Sequence, residues 1–173
     1  MLAMIHLVAI LVSSFLLPML NPLAQTQPEQ NHPGKDQMMT KHASGAFDVK
    51  VTPQKPDNPD AEHAGLSRMS LNKQFHGDLD AESTGEMLSV ISEVKGFAAY
   101  VALERVKGTL GGRSGGFVLQ HRATMNRGEP QLSITVVPDS GTGALTGLTG
   151  TMNIRIENGK HFYDFDYTLP ANP

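Results

Sequence analysis

Residues 117–125, Phe-Val-Leu-Gln-His-Arg-Ala-Thr-Met, are the stretch that decides the fold class of this 173-residue chain. Apolar or small side chains occupy every second position, and His121 takes one of those positions. A period of two residues is typical of a β-strand with one buried face. The stretch therefore predicts a strand that carries a histidine on its inward face.

The two-residue period extends on both sides of this stretch, over the part of the chain that begins at Gly45. Residues 81–92 are the segment with helical alternatives, because Glu82 and Glu86 recur at helical spacing, but Val90-Ile91 favours a strand. Asn158-Gly159 is a strong two-residue hairpin signal. About eight strands follow one another with no convincing helix between them, which predicts antiparallel pairing. Strands of this kind pack as a sandwich or close into a barrel.

The N-terminus is typical of a targeting segment. Residues 1–24 carry no charged side chain, residues 5–20 are almost wholly apolar, and small Ala24 precedes Gln25. This pattern predicts a signal peptide cleaved after Ala24 and export to the periplasm or the medium, with an uncleaved anchor as the alternative. Residues 25–44 are polar and aperiodic, which predicts a disordered linker. We expect no stable membrane span after cleavage, since the apolar run is short for one.

Composition removes several classes of function. The chain has 14 Lys and Arg against 17 Asp and Glu, a formal net charge of −3, and no cysteine. Nucleic acid is therefore not an expected partner, and disulfides, thiolate nucleophiles and cysteine zinc sites are excluded. Because no metal-ligand spacing or nucleophile–base pair stands out, the sequence predicts no metal and no cofactor. The sequence does not exclude that the protein forms a homo-oligomer.

Three stretches carry a family resemblance: residues 73–79, residues 96–121 with Tyr-Val-Ala-Leu-Glu at 100–104, and residues 136–150 with Pro-Asp-Ser-Gly-Thr-Gly at 138–143. Together they resemble a bacterial family of uncharacterised proteins with an allene-oxide-cyclase-like barrel. The resemblance implies a calycin-type fold. Barrel relatives include allene oxide cyclases and dirigent proteins, which steer reactive intermediates in an apolar cavity. We therefore predict an all-β fold, a single closed antiparallel barrel of eight strands over residues 45–170.

The polar residues of the predicted interior are the candidate catalytic groups. An inward His121 is suited to act as a general base or to orient a ligand; the alternative is a core histidine bonded to a carboxylate or carbonyl. Glu104 lies in an apolar strand near Tyr100, where burial would raise its pKa unless it is paired. The alternatives for Glu104 are an outward position or an ion pair with Arg105, Arg113 or Arg122. Alternation does not decide which way Glu104 faces, because both faces of residues 96–110 carry apolar side chains.

The leading functional hypothesis is an exported barrel that binds a small apolar ligand. The predicted pocket residues are Phe117, Leu119, Tyr163, Phe165, Tyr167 and Arg113. The second hypothesis is a cofactor-independent cyclase or isomerase that uses Glu104, His121 and Tyr100, as the resemblance to allene oxide cyclases implies. The third is a structural or surface interaction module, for which a large exposed apolar patch would be the sign.

Overall fold

The structure is a computed structural model, and it describes residues 39–61 and 63–170. The predicted signal peptide and residues 25–38 of the predicted linker lie outside the described residues. Among the residues described, no helix has the length and apolar character needed to cross a membrane.

Nine strands follow one another along the chain. They are β1 (Lys41–Gln54), β2 (Leu66–Gly77), β3 (Leu79–Ile91), β4 (Ala98–Leu110), β5 (Arg113–Asn126), β6 (Glu129–Val136), β7 (Thr142–Gly143), β8 (Thr149–Glu157) and β9 (Lys160–Thr168). Residues 81–91 lie in β3, which confirms the strand prediction over the helical alternative. β1 begins at Lys41, four residues before the predicted start, because Lys41 to Ser44 pair with β9.

The strands close into a barrel. Their order around the sheet is β4-β3-β2-β1-β9-β8-β6-β5, and β5 pairs back onto β4, with every pairing antiparallel. The two-residue β7 pairs with the start of β5. The predicted closed eight-stranded antiparallel barrel is therefore confirmed. β6 and β8 share the shortest register of the ring, Ile134 with Met152 and Thr135 with Thr151.

The β8–β9 connection is a tight turn formed by Asn158 and Gly159. Asn158 and Gly159 have φ values of 51° and 77°, the left-handed region that a type I′ turn requires. Asparagine and glycine reach this region at less cost than other residues do. The hairpin predicted from Asn158-Gly159 is therefore confirmed.

Side chains of alternate residues fill one half of the barrel interior. At the end where β1 begins, the inward side chains are buried and pack together with residues of the 137–148 segment. The aromatic members pack in pairs: the Phe47 and Phe75 ring centroids lie 5.4 Å apart, and those of Phe117 and Phe165 lie 5.8 Å apart. The buried core of this closed half includes Ala43, Phe47, Phe75, Leu79, Val106, Leu110, Phe117, Leu119, Leu145, Leu148, Met152, Tyr163, Phe165 and Tyr167.

The opposite half, where β1 ends and β2 begins, is open. Inward positions there are half-buried at Met69, Met87, Tyr100 and Ala123. Inward-facing Met125, nearer the end of β5, is 41% exposed. Since an inward side chain of a closed barrel meets solvent only through an end, this end forms a mouth. We refer to the inward positions of Met69, Met87, Tyr100 and Ala123 as the mouth.

Candidate functional site

Glu104 lies at the floor of the mouth and faces inward. Its residue is completely buried, as is Val106 on the same face of β4. Val101 and Leu103 lie on the other face of β4 and are 53% and 58% exposed. The sequence left the orientation of Glu104 open because the apolar side chains on the outer face of β4 obscure the alternation.

Two neighbouring strands hold the Glu104 carboxylate. Lys73 Nζ, from β2, donates a hydrogen bond of 2.6 Å to Glu104 Oε2. Ser83 Oγ, from β3, donates a hydrogen bond to the other oxygen, Oε1. The Lys73 ammonium also lies 5.1 Å from the centroid of the Phe47 ring and 5.6 Å from that of Phe75, where it gains cation–π attraction. The charge of Lys73 is therefore neutralised on one side and packed against aromatic faces on the other.

His121 completes the cluster from β5. Its residue is 3% exposed, and Nε2 lies 2.9 Å from Glu104 Oε2. This close contact with the carboxylate is the polar contact that Nε2 makes within residues 39–61 and 63–170. The inward position predicted for His121 is confirmed, and its neighbour is a carboxylate. We call Lys73, Ser83, Glu104 and His121 the polar cluster.

The surroundings of Glu104 keep it ionised. Burial opposes the charged form, but His121, the Lys73 ammonium and the Ser83 hydroxyl favour it more strongly, and the net effect lowers the pKa of Glu104 to about 2. A carboxylate with so low a pKa holds no proton to donate at neutral pH, and it is a weak base. Burial, and the negative charge of Glu104, raise the pKa of Tyr100, so its phenol remains a proton donor.

The alternative in which Glu104 forms an ion pair with Arg105, Arg113 or Arg122 was wrong. Arg105 and Arg122 occupy outward, exposed positions on β4 and β5, because each is one residue away from an inward one. Arg113 begins β5 at the closed end, where its Nη1 donates to Pro170 O at 3.1 Å. The observed partner is Lys73, whose place in the alternation Leu71, Lys73, Phe75 was a signal that it faces inward.

The predicted pocket residues lie in the closed half. Phe117, Leu119, Tyr163 and Phe165 are completely buried, and Tyr167 is nearly so. Phe165 stacks against both Phe117 and Tyr167. The structure thus brings Glu104, His121 and Tyr100 to the open half and packs these five residues into the core beneath them. No group of three or more metal-ligating side chains converges in residues 39–61 or 63–170.

Comparison with known proteins identifies the family. A family model described as a protein of unknown function, DUF3224, matches residues 43–167. A crystal structure of a protein of unknown function from this family, from Shewanella oneidensis MR-1, is 49% identical with a TM-score of 0.70. That match covers 76% of this chain and 99% of the other. No curated protein matches the chain. With the barrel spanning the matched residues, the chain belongs to the DUF3224 family of proteins of unknown function.

Proposed function

We propose that the barrel binds a small, mostly apolar ligand in its open half. The observation that carries the proposal is the mouth itself, where half-buried apolar side chains stand above a buried polar cluster. Ligand sites commonly combine apolar walls with a few fixed polar groups. The resemblance to allene-oxide-cyclase-like and calycin-type barrels supports the same function.

The mouth is suited to adaptable apolar contacts. Met69 and Met87 are unbranched and polarisable, and such side chains fill irregular gaps around a ligand. Tyr100 adds an aromatic face and a hydroxyl donor. The polar cluster below them is fixed by its own hydrogen bonds and provides a rigid floor.

A fluorescent probe tests this function. N-phenyl-1-naphthylamine is neutral and apolar, and its emission rises in an apolar site. We expect saturable binding to the wild-type protein and at least tenfold weaker binding to Met87→Glu, whose new charge lies in the mouth. The matched control is Thr84→Glu, an exposed residue on the outer face of the same strand. Equal binding to wild type and Met87→Glu would overturn the proposal.

A cyclase or isomerase of the allene oxide cyclase type is the second candidate function. The observation in its favour is the contact between His121 and the ionised Glu104, because a histidine oriented by a carboxylate is a common general base. In this scheme Glu104 orients His121 and supplies the negative charge of the site, and His121 and Tyr100 transfer a proton to or from the substrate. Glu104→Gln would then lower turnover of an identified substrate at least a hundredfold with little change in its binding.

The outer face of the barrel supports a third role, association with a second copy of the chain. Leu66, Leu88, Val101 and Leu103 are between 44% and 58% exposed and line a cleft of about 780 Å³ beneath the β1–β2 loop. Arg68 holds that loop in place through Asp57 at 2.7 Å while also bonding Glu86 at 2.8 Å. Exposed apolar surface of this kind is characteristic of interaction sites.

The proposed occupant is a second copy of the chain, because the cleft lining is mostly apolar and its charged members, Arg68, Asp57 and Glu86, already pair with one another. A two-fold axis would set the apolar side chains of the two clefts against each other. We expect sedimentation velocity to show a dimer that Leu103→Glu dissociates and Val94→Glu, outside the cleft, does not. A wild-type monomer at high concentration would overturn this role.

A further inference from the structure

We infer that His161 is a polar contact for the ligand at the open end of the barrel, and that the ligand carries a hydroxyl group on an otherwise apolar body. The inference rests on the proposed binding function, and it specifies both the contact and the class of ligand. A phenol or an aliphatic alcohol fits this description.

His161 faces the barrel interior from the wall opposite Tyr100. Along β9 it alternates with Tyr163 and Phe165, whose side chains are buried in the core. Its ring centroid lies 5.2 Å from that of Phe47, another inward and buried residue. In the ring of strands β4 and β9 are separated by β3, β2 and β1 on one side and by β8, β6 and β5 on the other. His161 and Tyr100 therefore approach the interior from opposite walls.

The barrel wall is low where His161 lies, and this makes the imidazole reachable. The pairing of β1 with β9 ends at Phe47 and His161, whereas β1 continues to Gln54. His161 is half-buried, and its partner on β8, Ile156, is 66% exposed. A Cβ added at Gly159, in the adjoining turn, would meet no atom within 4 Å. A molecule that enters the open end can therefore contact His161 directly.

The imidazole of His161 has unused hydrogen-bonding capacity. Its ring contacts Phe47, which limits the orientations of the ring, but it makes no hydrogen bond or ion pair with residues 39–61 and 63–170. His121 differs in both respects, because it is sealed from solvent and lies against the Glu104 carboxylate. His161 is therefore the interior histidine that a ligand can reach.

The chemistry of the surroundings favours a hydroxyl group as the partner. A neutral imidazole has one nitrogen that donates and one that accepts, and a hydroxyl can bond to either of them. The neighbours of His161 on β8, Ile154 and Ile156, are apolar. Lys73 and Glu104 already compensate each other at 2.6 Å, so a charged ligand group would leave water without a counter-charge in the interior.

Two naphthalenes of nearly equal shape isolate the contribution of the hydroxyl. 2-Naphthol carries a hydroxyl where 2-methylnaphthalene carries a methyl group, and displacement of N-phenyl-1-naphthylamine measures the binding of each. We expect His161→Leu to weaken 2-naphthol about fivefold and to change 2-methylnaphthalene by less than about twofold. Equal weakening of both compounds, or unchanged binding of 2-naphthol, would overturn the inference while the proposed binding function stands.

Two further variants and a charged probe sharpen the test. His161→Gln keeps a donor and an acceptor and should retain most of the affinity for 2-naphthol. Lys160→Leu, at the adjacent exposed residue on the outer face, is the matched control and should leave both compounds unaffected. The wild-type protein should bind 2-naphthoate more weakly than 2-naphthol. Preference for 2-naphthoate, or a loss with Lys160→Leu equal to that with His161→Leu, would contradict the inference.

Nuclear magnetic resonance of the wild-type protein decides the question if His161→Leu does not fold. The imidazole nitrogen resonances of His161 should shift on addition of 2-naphthol and shift much less with 2-methylnaphthalene, because only the former forms a hydrogen bond. Equal shifts with the two compounds would overturn the inference. Failure of N-phenyl-1-naphthylamine and both naphthalenes to bind would overturn the binding function as well.

Discussion

Gly85 on β3 pairs directly with Glu104 on β4. Because Gly85 has no side chain, the backbone of β4 at Leu103 and Glu104 can approach β3 closely. A Cβ at Gly85 would lie 2.7 Å from Leu103 O and 3.1 Å from both Cα and Cβ of Glu104. The 2.7 Å contact does not occur between unstrained atoms, and the contacts at 3.1 Å are tight, so the close approach of the two strands depends on glycine here.

Gly85→Ala is therefore expected to destabilise the protein by about 1–3 kcal/mol, because the strands must separate to admit one methyl group. Urea unfolding measures the loss. The control is Thr84→Ala on the outer face, where a change within about 0.5 kcal/mol is expected. Equal stability of Gly85→Ala and wild type would show that the strands adjust without cost.

Glu104→Gln removes the counter-charge of Lys73 and leaves a buried ammonium without a carboxylate. We expect a loss of about 3–5 kcal/mol in the free energy of unfolding. Lys73→Met combined with Glu104→Gln should recover part of this loss, since no unpaired charge then remains buried. Glu82→Gln, exposed on the same sheet, is the control and should change stability by less than about 0.5 kcal/mol.

The lowered pKa of Glu104 also predicts a pH dependence. Its ordinary pKa is 4.5 and its pKa in the folded protein is about 2, so the unfolded chain binds a proton first as the pH falls. The stabilisation is fully present above about pH 4.5 and is lost as the pH falls through 2, on the order of 3 kcal/mol in total.

The measurement is the difference in unfolding free energy between wild type and Glu104→Gln across this pH range. Groups that titrate in both proteins cancel from that difference, so the gap should narrow on acidification. A gap that stays constant down to about pH 2.5 would contradict the assignment of the stabilisation to Glu104.

Tyr163 joins two backbone segments at the closed end. Its hydroxyl accepts from Leu79 N at 2.9 Å and donates to His76 O at 3.2 Å. Tyr163→Phe leaves the buried Leu79 N–H without an acceptor, which should cost about 1–3 kcal/mol. Tyr167→Phe is the control, because its hydroxyl makes no hydrogen bond with the described residues and its loss should matter little.

Most of the fold could be predicted from the period-two alternation, and part of the site could as well. His121 was placed inward correctly because Phe117, Leu119 and Ala123 share its face. Glu104 could not be oriented, since Val101 and Leu103 put apolar side chains on the outer face as well. Its partner lies 31 residues away in the sequence, and only the register of β2, β3 and β4 brings Lys73 and Ser83 to the carboxylate.

The division of the interior into a closed half and a mouth has a consequence for how such a barrel diverges. The aromatic core and the polar cluster determine whether the chain folds, and substitutions there carry the costs estimated above. Met69, Met87, Tyr100 and Ala123 lie outside that core, so substitutions among them change the chemistry of the open end without the same loss of stability. Descendants of one ancestral barrel can thus come to differ at one end while the architecture is preserved.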